Sequence, residues 1–278
     1  MELLGLTPSS SSLQTCVSAV GCAEMSADAC IAFGGTIVES CPVSSSSVPP
    51  SSSSVSIVPS SSSVAPSSSS IAPSSSSVAY SGKGNNISSY RTVRIGDQTW
   101  MAENLDYVVE GSKCHSNNPA NCATYGSLYN WATAMDLPSS CTSNTCSSMV
   151  QTKHKGICPS GWHIPSHSEW TTLTDYVGGA STAGRKLKAT SGWYNCGPSG
   201  SGSSYLCEDT YGFSALPGGN GFWDGRFDYV GDYGFWWSAT EGNAGYAYLR
   251  DMRYYDDGVY YNFSHDKSFL FSVRCLQD

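Results

Sequence analysis

The chain has 278 residues, 14 Lys and Arg against 22 Asp and Glu, a formal net charge of −8, and 12 cysteines. All the basic residues lie beyond residue 82, but eighteen acids share that stretch and no basic run exists, so nucleic acid is not an expected partner. No run of eighteen apolar residues occurs, so no membrane span is expected.

Residues 1–12 end in a serine block behind Pro8 and read as the remnant of a linker. They show no basic start or apolar stretch of signal-peptide length, so either an export signal is expected upstream or the start is truncated or miscalled. Residues 13–42 form a small segment with Cys16, Cys22, Cys30 and Cys41, too short to bury a core unaided. Two disulfides in any of three connectivities would turn it into a structural knot or short helical hairpin. Residues 43–82 carry five further four-serine blocks separated by Val, Ile, Ala and Pro. Serine offers little apolar area to offset ordering entropy, so this stretch reads as a disordered Ser/Pro-rich linker spanning roughly 35 Å.

The remaining cysteines, Cys114, Cys122, Cys141, Cys146, Cys158, Cys196, Cys207 and Cys275, are even in number and contain no C-x-x-C pair. Both points favour disulfides and a location outside the cytoplasm, extracellular or at the cell surface. Residues 83–278 form the main domain. It opens with two short strand-like runs about Gly96-Asp97. Tyr125, Leu128, Tyr129 and Ala132 recur at helical spacing and predict one helix over residues 122–135. Ser166-x-x-Glu169 is a capping box that starts a second helix, which carries Trp170, Leu173 and Val177 on one face and stops at Gly178-Gly179. Asp224-Gly225 and Asp257-Gly258 are hairpin signals, with glycine expected at positive φ. Residues 246–252, 259–263 and 269–275 are predicted strands. Early helices and a late antiparallel sheet make the fold class α+β.

Several motifs stand in order along this domain. They are Val93-Arg94-Ile95-Gly96-Asp97-Gln98-Thr99-Trp100-Met101-Ala102-Glu103-Asn104-Leu105, Tyr125-Gly126-x-Leu128-Tyr129-Asn130-Trp131, and Cys158-Pro159-x-Gly161-Trp162-His163-Ile164-Pro165. Tyr211-Gly212-Phe213-Ser214-Ala215-Leu216-Pro217-Gly218-Gly219, Trp236-Trp237-Ser238-Ala239-Thr240-Glu241 and Ser272-Val273-Arg274-Cys275 complete the series. On these residues the chain resembles the Fibrobacter succinogenes major paralogous domain family. The resemblance implies an exported domain carried on serine-rich linkers in modular surface or secreted proteins, and it supplies no reaction. A more distant resemblance, at residues 164–170 and 271–275, is to the C-type-lectin-like fold shared with formylglycine-generating enzymes. It implies two helices, an irregular antiparallel sheet and disulfide staples pairing Cys158 with Cys275, Cys114 with Cys122, Cys141 with Cys146, and Cys196 with Cys207.

Candidate chemistry is sparse. His163, His167 and Glu169 have a metal-like spacing, but Glu169 is needed for the capping box, so no metal is expected. No unpaired cysteine or Gly-x-Ser-x-Gly elbow suggests a nucleophile, and the lectin calcium motifs do not occur. No cofactor is therefore expected, and calcium stands unsupported. The acids at 224, 228, 232, 241, 251, 256 and 257 are expected in turns and solvated loops. The distinctive signal is aromatic, concentrated over residues 222–261 and mixed with acids. Trp236 and Trp237 are adjacent and should point to opposite faces of a strand, at least one of them into the core. Trp223, Asp224, Tyr229, Tyr233, Tyr254, Tyr255 and Asp256 are the candidate ligand-binding residues: rings cover sugar C–H groups and carboxylates accept from hydroxyls. The expected function is a secreted or surface-attached, non-catalytic binding domain for polysaccharide or cell-surface attachment. The alternatives are a carbohydrate-active or oxidative enzyme in the same pocket, and a structural protein–protein interaction domain.

Overall fold

A computed structural model of the chain describes residues 80–278, the side chains of 262–264 excepted, and the backbone of three strands ahead of them. These are β1 (Gln14–Ser18), β2 (Gly21–Met25) and β3 (Thr36–Val38), with β1 central and antiparallel to both neighbours. The four-cysteine segment thus has three short strands among its described residues, and the expected knot or helical hairpin otherwise falls outside the described residues. Its β-branched residues Thr15, Val17, Thr36, Ile37 and Val38 favour extended backbone. The two serine-rich segments and the pairing of Cys16, Cys22, Cys30 and Cys41 lie outside the described residues. The chain divides into two units, 1–72 and 73–278.

The second unit is α+β. Strands β4 (Thr92–Ile95) and β5 (Gln98–Met101) form a hairpin turned at Gly96, whose φ of 59° suits glycine. Two short helices come next, α1 (Pro119–Tyr125) and α2 (Trp131–Ala134), each capped by an asparagine side chain, Asn118 and Asn130. They replace the single helix predicted over 122–135. The break is at Gly126, at φ 79°, where a Cβ would come within 2.8 Å of the Asn104 Cβ and 2.9 Å of the Leu105 carbonyl. The chain leaves its helical path there to run against residues 104–105.

Strand β6 (Trp162–His163) leads into α3 (His167–Tyr176). The expected capping box is present: the Glu169 amide donates to Ser166 Oγ (3.3 Å) and Glu169 Oε2 accepts from the Ser166 amide (2.8 Å). Helix α4 (Ala180–Leu187) was not foreseen, because its start at Gly179 offers no side-chain cap and Gly184 lies inside it. The later strands are β7 (Cys196–Gly197), β8 (Tyr205–Leu206), β9 (Gly218–Gly221), β10 (Phe227–Val230), β11 (Tyr233–Glu241), β12 (Tyr246–Arg253), β13 (Tyr260–Asp266) and β14 (Leu276–Gln277). One sheet has the order β10-β9-β11-β12-β13 and is antiparallel apart from the β9/β11 contact; an antiparallel second has the order β4-β5-β14-β6. The strand predicted over 269–275 is irregular. Leu270, Phe271 and Ser272 bridge in turn to Gly221, Tyr129 and Trp236, so the partner changes at each residue and no ladder builds until β14.

Strand β11 has buried residues on both faces and divides the core in two. Trp237 packs with Tyr129, Phe271 and Val273 on one side, and Trp236 with Trp100, Trp170 and Phe213 on the other, so both adjacent tryptophans are buried on opposite faces as the alternation requires. Four disulfides join Cys114–Cys122, Cys141–Cys146, Cys158–Cys275 and Cys196–Cys207, and no cysteine is free among the described residues. The Cys158–Cys275 bridge spans 117 residues and ties the approach to β6 to the approach to β14, its neighbour in the sheet.

The core also holds cations that have left water. Arg274 is fully buried and lies 4.3 Å from the Phe213 ring. Its guanidinium donates to Asn104 Oδ1 (2.8 Å), to the Phe213 carbonyl and to the Ser214 carbonyl (3.2 Å), while the Trp236 indole also donates to Asn104 Oδ1 (2.8 Å). Neutral oxygens thus satisfy a buried charge. Lys267, also buried, donates to Glu241 and to the carbonyls of Asn144 and Ala244, over the Trp131 ring.

Candidate functional site

A groove of about 860 Å³ is bounded by the start of α4 (Ala180, Ser181), by β8, by the connection from β12 to β13, and by Tyr260 and Tyr261. Tyr205, Tyr255, Tyr260 and Tyr261 line it, and each is more than a third exposed. That volume falls within the usual range for small-molecule sites. Tyr205 reaches the groove because the Cys196–Cys207 bridge closes a short loop and the parallel pair β7/β8 flattens it.

The β12–β13 connection is clamped to α4 from several directions. The Val259 amide donates to the Ala180 carbonyl (2.7 Å) and the Arg185 amide to the Asp257 carbonyl (3.1 Å). Lys188, fully buried at the end of α4, donates from Nζ to the carbonyls of Arg253 (2.9 Å) and Asp256 (2.7 Å), and burial pushes its pKa down to about 8. A Cβ on Gly184 would lie 2.1 Å from the Gly258 carbonyl oxygen, so this approach needs glycine. The turn itself departs from the expected hairpin type. Gly258 is not at positive φ; the Asp256 side chain closes the turn by accepting from the Gly258 amide at 2.6 Å.

Arg253 fixes the aromatic side chains. Its guanidinium lies 4.6 Å from the Tyr260 ring centroid and 5.8 Å from that of Tyr233, and it pairs with buried Asp251 at 3.3 Å. Burial raises the Asp251 pKa. Tyr233 and Tyr255 share a hydroxyl–hydroxyl hydrogen bond of 3.1 Å, which pushes Tyr233 up to about 12. Ring contacts then run from Tyr229 to Tyr233 (4.9 Å), Tyr255 (6.2 Å) and Tyr254 (5.0 Å), and from Tyr254 to Tyr194 and Tyr205 (5.2 and 5.5 Å). The result is one continuous tyrosine track.

Of the seven candidate residues, Tyr255 and Asp256 line the groove. Tyr229, Tyr233 and Tyr254 belong to the track beside it. Trp223 and Asp224 sit apart on the β9–β10 turn: Trp223 is 78 % exposed and has no part in the ring network, and the Asp224 carboxylate accepts from the Arg226 amide and Nε within its own turn. Tyr205, Tyr260, Tyr261 and Asp257 line the groove without being among the seven expected residues. Tyr205 lies only two residues before Cys207, so the implied Cys196–Cys207 pairing was the signal that could have found it. Two of the acids assigned to turns and loops, Glu241 and Asp251, are instead buried and paired with Lys267 and Arg253.

A second cleft, of about 480 Å³, is lined by Glu169, Glu241 and His154. Its carboxylates are occupied. Glu169 accepts from the Ser166 amide and hydroxyl and contacts His163 (3.1 Å); burial raises its pKa, but these partners outweigh burial and hold it down at about 2. His163 also contacts Asp278 (2.8 Å), while the ring of His167 contacts Arg250 (3.0 Å) instead, so His163, His167 and Glu169 do not converge. Among the described residues no group of three His, Cys, Asp or Glu is placed to hold a metal ion, and no helix is long and apolar enough to cross a membrane.

Fold and groove together define a disulfide-linked α+β domain with a tyrosine-lined cleft. The chain belongs to the Fibrobacter succinogenes major domain family, whose profile matches residues 93–277. No curated protein and no solved structure matches the chain.

Proposed function

We propose that this chain is an exported, non-catalytic binding domain, C-type-lectin-like in architecture, that attaches to polysaccharide through the tyrosine-lined groove. The observation that carries this reading is the set of four exposed tyrosines held by Arg253, Lys188 and the α4 clamp around one cleft. A preorganised aromatic wall loses little side-chain entropy on binding, and phenol rings pair with the apolar face of a pyranose while their hydroxyls meet its polar edge. The four disulfides are compatible with an extracellular location. The serine-rich composition of residues 43–82 suits a tether that raises the local concentration of a second module near an immobilised target.

The test is retention of the full, oxidised chain on a broad glycan array, beside a Tyr255→Ala/Tyr260→Ala variant and a Trp223→Ala variant. Retention is expected to fall at least tenfold in the first and to persist in the second. Retention on no glycan would overturn the reading and shift it to a protein partner at the cell surface.

A further inference from the structure

The groove has a charge and a shape, and both restrict what it accepts. No Lys or Arg side chain lines it, whereas Asp256 and Asp257 do. The nearby cations are engaged elsewhere: Arg185 with Glu208 (3.5 Å) and Asp257 (3.8 Å), Arg253 with Asp251, and Lys188 with two carbonyls. An anionic ligand would therefore meet Asp256, and Asp257 whose one arginine is shared with Glu208, with no cation of its own to pair with, a juxtaposition that disfavours binding. The acids are not free to hold a cation either. Asp256 accepts from the Gly258 amide and from the Tyr260 hydroxyl, and Asp257 already has its arginine.

The ring planes give the shape. Tyr233 and Tyr255 meet at 79°, Tyr254 and Tyr255 at 82°, and Tyr205 and Tyr254 at 80°. Each pair belongs to the tyrosine track along the groove, of which Tyr205 and Tyr255 are also lining residues; the rings stand nearly perpendicular, so they offer no coplanar row to a flat polysaccharide surface. Resting on the polysaccharide reading above, we infer that the groove takes a single, uncharged glycan chain from solution and rejects both polyuronates and the flat surface of a crystalline polysaccharide.

Calorimetric titration of the full oxidised chain tests this. The probes are neutral hexasaccharides of glucose, xylose, mannose and galactose, hexagalacturonate, and a glucosamine hexamer, with a parallel pull-down on microcrystalline cellulose. At least one neutral hexamer is expected to bind at least tenfold more tightly than hexagalacturonate, and Asp257→Asn is expected to narrow that gap. Equal or tighter binding of hexagalacturonate or of the glucosamine hexamer would overturn the charge argument, and retention confined to microcrystalline cellulose would overturn the single-chain argument. Binding to none of these glycans would sink the polysaccharide reading itself, which is a different failure from lost selectivity.

Discussion

The tryptophans and the tyrosines of this chain occupy opposite regions. Seven of the eight tryptophans are buried, and Trp223 alone is exposed, whereas eight of the tyrosines, among them Tyr194, Tyr205, Tyr229, Tyr255, Tyr260 and Tyr261, are more than a third exposed. An indole has one donor that a single carbonyl can satisfy, as Ser238 does for Trp131, Tyr129 for Trp237 and Ala215 for Trp193. A phenol both donates and accepts, and it stays satisfied at a wet rim. Aromatic richness alone therefore does not mark a binding face; the kind of ring does. The family motifs fall on the tryptophan side. Arg274, in one motif, gathers Asn104, Phe213, Ser214 and Trp236 from three others, so those motifs build the core, while Tyr205, Tyr255, Tyr260 and Tyr261 lie in none.

That contrast can be broken most severely on the core side. Replacing Cys158 and Cys275 by serine removes a 117-residue loop constraint and should cost about 4–5 kcal/mol, read from denaturant midpoints. Arg274→Ala leaves buried acceptors and a cavity and should cost about 3–4 kcal/mol in the same assay. Gly184→Ala sharpens the boundary between the regions. Its methyl must push the 256–258 turn off α4, so about 1–3 kcal/mol should be lost together with glycan binding.

Acid should act on the fold in two stages. His115, His167 and His265 all have pKa values lowered by burial, so the unfolded chain takes up their protons first; the stability they contribute is present above pH 6.5 and is lost as pH falls below it. Glu169 adds a second loss between its ordinary value of 4.5 and about 2. It shares that stage with Glu103, whose pKa burial raises but Lys83 and Arg91 lower on balance, so melting curves of Glu169→Gln should shrink that stage while keeping the first. The smallest effect on stability belongs to the groove. Tyr255→Ala and Tyr260→Ala should each change unfolding free energy by less than about 1 kcal/mol, even where binding disappears. A cost of the core kind at Tyr260 would erase the distinction between the two regions.

The elements legible in the sequence were those specified by neighbouring residues. The Ser166/Glu169 box, the Gly96 and Asp224-Gly225 turns, and the Gly178-Gly179 stop all act within a few residues. What escaped was set by distant contacts. Gly126 breaks a helical pattern because residues 104–105 occupy the path, α4 is held by a turn some seventy residues later, and residues 269–275 change partner at every step. The lining of the candidate groove is legible only in part for the same reason. Tyr254, Tyr255 and Asp256 are contiguous, but Tyr205 joins them only through the Cys196–Cys207 loop, and Trp223 lies apart: an exposed ring beside a turn carries no information about its distance from other rings.

The interior position of β14 sets a schedule for biosynthesis. It lies between β5 and β6, strands made more than a hundred residues earlier, so that sheet stays open until residue 277 has been added. At roughly 5–20 residues per second, Cys158 waits on the order of ten seconds for its partner. Bridges between sequence neighbours, such as Cys141–Cys146, have no such wait. The long-range bridge is therefore the last of the four that synthesis permits, and the local three can precede it.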